Sequence, residues 1–264
     1  MGPTPHGSQV QGDRVPREIL LVLNTTLGYS KFMTISGAAE DYLKAVLKIE
    51  ESDRKASTSG VARELQLADA TVTDMLRKLK RAGLLEYERY HGARLTERGR
   101  TIALAVRRRH RLIELFLHQT LGYRWEEVHE EAEQMEHVVS DRFVERVDEL
   151  LQHPLRDPHG ELIPDATGFV PQEDDLCLED AEPGRYRVQR ITDDRPQFLS
   201  YLGKLSLRPG TLLEMVERTP FGGPLSLRIG TDGVSAHLGP EAASKIFVVP
   251  ACAGSGTSEE PHAH

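Results

Sequence analysis

The decisive stretch reads STSGVARELQ at residues 57–66, LAD at 67–69 and ATVTDMLRKLKRAG at 70–83. Its apolar residues recur at helical spacing on either side of the short LAD break, and Gly83 stands where a helix C-terminus wants a glycine. Two short helices joined by a tight turn are predicted, the second running from Ala70 to Ala82. Upstream, Ala39, Leu43, Val46 and Leu47 follow Ser36 at the same period, which predicts a first helix ending at the polar Glu51–Lys55 turn. Downstream, Leu84–Tyr90 and Ala93–Thr96 flank His91–Gly92 as two strands around a turn. Helix, helix–turn–helix and hairpin in that order describe a winged helix-turn-helix over residues 34–98, whose third helix enters the DNA major groove. The alternative is a small helical domain that merely packs against another. The charge distribution favours DNA.

Net charge over the 264 residues is −8, which by itself argues against a polyanionic partner. Residues 34–111, however, hold 17 Lys and Arg against 11 Asp and Glu, whereas residues 112–264 hold 13 against 28. A basic segment joined to an acidic one suggests that the first meets phosphates and the second meets cations. Only two cysteines, Cys177 and Cys252, are present, far apart and in loop-like sequence, so neither a disulfide framework nor a thiolate cage is expected and a cytoplasmic setting fits. The apolar run Ile19–Leu23 is too short for a signal or a membrane span.

The remaining organisation follows from periodicity. Residues 1–33, rich in Gly, Pro, Ser and Thr, read as a disordered leader, with Met33 an alternative start. A long helix is predicted from Thr96 to about Leu121 and another from Trp125 to Gln152, together a helical dimerisation domain over 99–155. Residues 156–182 read as a linker. Short strand patterns at Tyr186–Ile191, Leu212–Glu217, Leu225–Ile229 and Lys245–Val249 predict a small SH3-like β-barrel over 183–250, with a disordered tail at 251–264. The fold class expected is mainly α with β.

The chemistry concentrates in HEEAEQMEH, residues 129–137. On a helix turning about 100° per residue, His129, Glu133, Glu136 and His137 fall near 0°, 40°, −20° and 80°, one face beside an apolar stripe. Carboxylates crowded there repel one another unless a cation is present. A Glu-rich helix is also what an ordinary solvated face looks like. The preceding helix shifts the balance, because it carries His110 and Glu114 at i, i+4, and two His/Glu faces on successive helices suit a metal better than they suit water. Asp41 in the first helix sits between apolar positions and can point toward the same region.

With these residues in view, the chain resembles the diphtheria toxin repressor family of iron- and manganese-dependent regulators, and more closely its manganese transport regulator branch. The resemblance runs from about Ile35 to Val249. It is carried by AEDYL at 39–43, by RHRL at 109–112 with Glu114, and by VHEEA at 128–132 leading into MEHV at 135–138 and Ser140–Asp141. It implies a primary metal site of Asp41, Glu133, Glu136 and His137. It further implies an ancillary site of His110, Glu114 and His129, to which the C-terminal domain adds Asp194 and Gln197, with Asp193 an alternative.

The iron-type members place Met and Cys where this chain has Asp41 and Glu133. An all-oxygen and imidazole set suits Mn²⁺, with Fe²⁺ second. Lys44 replaces a Glu frequent in the manganese branch, and the C-terminal barrel is a feature that branch commonly lacks, so the chain combines both types. Metal is expected to act as corepressor, fixing the first helix against the dimer helices of a homodimer that reads a two-fold operator in double-stranded DNA.

On the recognition helix, Thr71 and Thr73 are candidate phosphate donors, Ala70 a contact for a thymine methyl and Asp74 an acceptor from cytosine. Arg77 and Lys78 are either DNA contacts or a solvated basic face. Two rivals stand beside this reading. One is a metallo-hydrolase, since the 133–137 motif is one residue from His-x-x-Glu-His. The other is a winged-helix regulator that needs no metal.

Overall fold

The computed structural model describes residues 35–52, 55–88 and 90–251. The leader read at 1–33 and all of the tail beyond Ala251 lie outside the described residues. Contacts divide the chain into two units, one through Ala103 and one from Leu104 onward.

In the first unit, α1 (Gly37–Glu51) starts at Ser36, whose hydroxyl accepts from the Ala39 amide at 3.4 Å. The second helix, α2 (Thr58–Glu64), is capped in the same way by Ser57. The turn to α3 (Asp69–Arg81) is closed by the Leu67 amide donating to the Ala62 carbonyl. The third helix buries Val72, Leu76 and Leu79, which lie on one face at i, i+4 and i+7, and it packs against α1 and α2. Gly83 takes the left-handed conformation that ends it. The wing is the hairpin β1 (Leu85–Glu88) with β2 (Gly92–Leu95), in antiparallel register Leu85 to Leu95. Glu50 of α1 ties it down: its carboxylate accepts from the Leu95 amide at 2.8 Å and pairs with Arg100. This is the winged helix-turn-helix that the periodicity describes.

The long helix α4 (Glu97–Leu121) begins in the first unit and runs into the second. Within the second unit it packs two ways. Leu112 and Leu115, with Phe116, meet Val147, Phe143 and Val144 of α6 (Asp141–Leu150). Ile113 and Leu117 meet Val128 and Ala132 of α5 (Val128–Met135). At about 100° per residue, His110 and Glu114 fall on the side of α4 that carries Ile113 and Leu117, hence toward α5.

The single helix predicted from Trp125 to Gln152 is two, because Ser140 caps a new start by accepting from the Phe143 amide at 3.2 Å. Glu136 is therefore the C-cap of α5 and His137 lies in the turn beyond it.

The stretch read as a linker is also not a loose connection. Residues 157–160 read Asp-Pro-His-Gly and form a tight turn in which the Gly160 amide donates to the Asp157 carbonyl. Those residue types suit that geometry: Asp at the first corner, Pro next and Gly last. Asp157, His159, Leu162 and Ile163 are buried. Gly160 has φ +86°, and a Cβ there would sit 2.1 Å from the Gln189 carbonyl oxygen, so only glycine lets the turn lie against the sheet.

The C-terminal part is a six-stranded antiparallel sheet in the order β3 (Leu176–Cys177), β8 (Ile246–Pro250), β4 (Gly184–Ile191), β5 (Leu212–Arg218), β6 (Leu225–Ile229), β7 (Val234–Leu238). It encloses a core that includes Val188, Leu213, Met215, Leu227, Leu238 and Val248. The sequence reading found four of these strands and missed β3 and β7. It also missed α7 (Pro196–Lys204), which buries Leu199 and Leu202, and the short α8 (Pro240–Ala243). Val234–Leu238 escapes notice because three of its five side chains are exposed.

Gly99 is tightly enclosed, since a Cβ on it would lie 1.8 Å from the Leu84 carbonyl oxygen. Gly99→Ala is expected to destabilise that unit by about 3 kcal/mol or to prevent folding, because backbone, not a flexible side chain, must move. Gly122→Ala, at positive φ but in open space, is expected to cost only about 1 kcal/mol. Urea denaturation of both variants checks the difference.

Candidate metal centre

Three side chains meet between α4 and α5. His110 Nε2 lies 3.0 Å from Glu114 Oε1 and 3.1 Å from His129 Nδ1, and His129 Nδ1 is 3.2 Å from the same Glu114 oxygen. Two imidazole nitrogens and a carboxylate oxygen thus form a triangle with sides near 3 Å. With metal–donor bonds of about 2.0–2.2 Å, donors at right angles around one ion are about 3 Å apart, so this group fits a divalent cation without rearrangement. The other face of the His110 ring supplies the tautomer. Its Nδ1 is 2.6 Å from Glu136 Oε2, and a proton held there leaves the Nε2 lone pair for a cation.

Glu136 is wholly buried and its second oxygen is 3.4 Å from His137 Nε2. Glu133, more exposed, has an oxygen 4.0 Å from His110 Nδ1 and 3.8 Å from His129 Nε2. Asp194, between β4 and α7, reaches to 3.7 Å of His129 Nε2. Gln197 is exposed in the first turn of α7 and is not among the described side chains that these contacts gather. Arg195 holds Asp193 instead, at 2.6 Å. Asp41 stands half-buried in α1 of the first unit, between the buried Ala39 and Leu43.

Two further donors were not anticipated from the sequence. Asp157 and His159, from the 157–160 turn, bring ligand atoms within 4.8 Å of one another and of Glu114, all three residues being buried. His159 Nε2 donates to the Trp125 carbonyl at 2.9 Å, which directs the Nδ1 lone pair at Glu114, 4.0 Å away. The missed signal is the Asp-Pro-His-Gly tetrapeptide: its residues announce a turn, but nothing local says that the turn is buried.

The crowding of buried carboxylates and imidazoles shifts how each of them holds its proton. Burial pushes the Glu114 carboxyl up, yet the charge of His110 and hydrogen bonds from His110 and His129 outweigh it and hold Glu114 well below the usual carboxylate range. Burial would pull the His129 imidazole down, but its hydrogen bond to Glu114 and the charge of Asp194 raise it. Asp157 is pushed up to about 6, first by burial and then by the neighbouring charge of Glu114. Protons here take the place that a dication would take.

On the recognition helix α3, Ala70, Thr71, Asp74 and Arg77 are exposed, and Thr73 and Lys78 are half-exposed. Asp74 and Arg77 form an ion pair at 3.4 Å, and the Thr73 hydroxyl donates to the Asp69 carbonyl at 2.8 Å. Thr73 as a phosphate donor therefore requires that this bond be exchanged.

The raised Asp157 gives a pH dependence whose sign is fixed. The folded chain holds that proton more tightly than an unfolded one, so the stability it contributes is lost as pH rises through about 6. Asp157→Asn keeps the Oδ1 that accepts from the His159 and Glu161 amides. In metal-free protein it is expected to stabilise by on the order of 2 kcal/mol at pH 7.5, with the gain vanishing near pH 4. Urea melts at the two pH values check this, and an equal effect at both would refute it.

Three family models match the chain. "Iron dependent repressor, N-terminal DNA binding domain" covers residues 34–93, "Iron dependent repressor, metal binding and dimerisation domain" covers 96–165, and the FeoA domain covers 176–250. The iron-dependent repressor IdeR of Mycobacterium tuberculosis is 37% identical over 143 residues, 53% of this chain and 62% of its own length. The chain thus spans somewhat less than two thirds of that relative. The diphtheria toxin repressor of Corynebacterium jeikeium is 33% identical over 201 residues, 67% of this chain and 84% of its own. A manganese-dependent transcriptional repressor solved in complex with manganese superposes with a TM-score of 0.76 at 41% identity, over 81% of this chain and all of that one. With a winged helix, a buried His/Glu cluster and an antiparallel C-terminal sheet in the same order, the chain belongs to the iron-dependent repressor family, that of the diphtheria toxin repressor.

Proposed function

We propose that this chain is a manganese-responsive, DNA-binding repressor of metal-homeostasis genes, working in the cytoplasm as a homodimer on a two-fold operator. The observation that carries it is the triangle of His110, Glu114 and His129, three donors about 3 Å apart in a chain that also carries a winged helix. Among the described residues no helix is long and apolar enough to cross a membrane.

Two ligand sets divide the work. His110, Glu114 and His129, joined by Asp157, His159 and Asp194, form the ancillary set. Asp41, Glu133, Glu136 and His137 form the primary set, Asp41 being assigned by family membership. A bound dication supplies positive charge that neutralises the clustered carboxylates. Everything else is the chain's own doing. His110 links the two sets, since its ring bonds Glu136 on one side and faces Glu114 on the other. Asp41 belongs to α1, which buries its apolar face in the core of the winged unit, so restraining Asp41 restrains the recognition helix. A fixed spacing of two recognition helices lowers the reorganisation needed to meet two half-sites.

Oxygen and imidazole donors without sulfur favour Mn²⁺, with Fe²⁺ as the alternative. The role is one of binding rather than catalysis. A hydrolase would need a glutamate as general base, and Glu136 is wholly buried against His110.

Operator binding is expected to need metal through the primary set. Asp41→Ala or Glu136→Ala should abolish Mn²⁺-stimulated binding in a mobility-shift titration while a folded dimer persists by light scattering. Binding as tight as the parent at limiting Mn²⁺ would refute the assignment. Metal choice provides a separate measurement. The double change Asp41→Met and Glu133→Cys introduces soft donors and should raise affinity for Fe²⁺ or Co²⁺ far more than for Mn²⁺, read as half-maximal operator binding under anaerobic conditions. An unchanged ratio would show that Glu133 does not touch the metal.

A further inference from the structure

The turn that carries Asp157 and His159 is held between two arginines. Arg111, next to His110 on α4, donates Nη1 to the Leu162 carbonyl and pairs Nη2 with Glu161 Oε2. Its Nε is then the nitrogen that faces Asp157, and the distance to Oδ2 is 3.5 Å, long for a charged hydrogen bond. The other oxygen of Glu161 meets Arg190 Nη1 of β4 at 3.0 Å. Arg190 is anchored in turn by Asp175 at 2.6 and 3.2 Å and lies over the Phe247 ring at 3.9 Å. Backbone bonds complete the hold, with the Ile191 amide donating to the His159 carbonyl at 2.9 Å.

Arg111 is a fixed cation beside a carboxylate that the metal reading needs. With both Nε and Nη2 turned onto Asp157 it would form a two-point guanidinium–carboxylate pair, a strong competitor for a metal ion on that carboxylate. Glu161 prevents this by occupying Nη2, and Arg190 keeps Glu161 in place from the sheet. We propose that Glu161 is a positioning residue for the Glu114, Asp157 and His159 cluster: it draws Arg111 off Asp157 and so keeps that carboxylate available to a divalent cation. This inference rests on the metal reading proposed above. It also explains why an arginine stands one residue from His110 without neutralising the site.

The test is Mn²⁺ uptake by the full chain in equilibrium dialysis, with free ion read by electron paramagnetic resonance. His159→Ala serves as the control that assigns one bound ion to this cluster. Glu161→Gln, which keeps shape and removes charge, should weaken that ion by about tenfold or more, as loss of a residue that orients a ligand typically does. Adding Arg111→Met should then restore affinity toward the parent, because the competitor has gone while its apolar stem is kept. A merely structural role for Glu161 predicts the opposite, a double variant weaker than Glu161→Gln alone, and that result overturns the proposal. Parent-like uptake by Glu161→Gln overturns it as well. If His159→Ala retains every ion of the parent, the metal reading of this cluster falls first and the inference with it.

Discussion

Glu114 is a carboxylate enclosed at 2% exposure, and the surrounding side chains are arranged to compensate its charge. An ion of that kind without partners costs several kcal/mol, more than most single contacts return. His110 and His129 approach one of its oxygens from α4 and α5, and His159 faces the other from the 157–160 turn. Two of these imidazoles are themselves held: His110 by Glu136, His159 by the Trp125 carbonyl. The compensation is thus a network spanning two helices, a turn and, through Asp194, the segment between β4 and α7.

Such a network makes its residues sensitive to protons and, under the function proposed above, to divalent cations as well. Asp157 keeps a proton to about pH 6, first because burial disfavours its charged form and then because Glu114 is already ionised nearby. A dication would relieve both carboxylates at once, which a proton on one of them cannot do. The arginines around the turn serve a different purpose. Arg111 and Arg190 are spent on Glu161 and Asp175, and the resulting chain of ion pairs fastens the turn to both α4 and β4. Partly buried networks of this sort owe their value to geometry more than to net stability.

The sequence by itself determined most of the local structure. Ser36 and Ser57 mark the starts of α1 and α2, Gly83 marks the end of α3, and the i, i+4 pairing of His110 with Glu114 follows from helical period alone. These are short-range properties, set by capping, φ preference and side-chain spacing, so they are legible in a single chain. The break at Ser140 was equally local, but the apolar stripe that continues through it concealed the cap. Tertiary structure decided the rest. Asp157 and His159 lie 43 and 45 residues from Glu114 along the chain, and only the packing of a glycine turn onto β4 brings them to it. Burial is what turns an ordinary Asp-Pro-His-Gly turn into a candidate ligand pair, and burial is a property of the whole fold, which no local pattern of residues encodes.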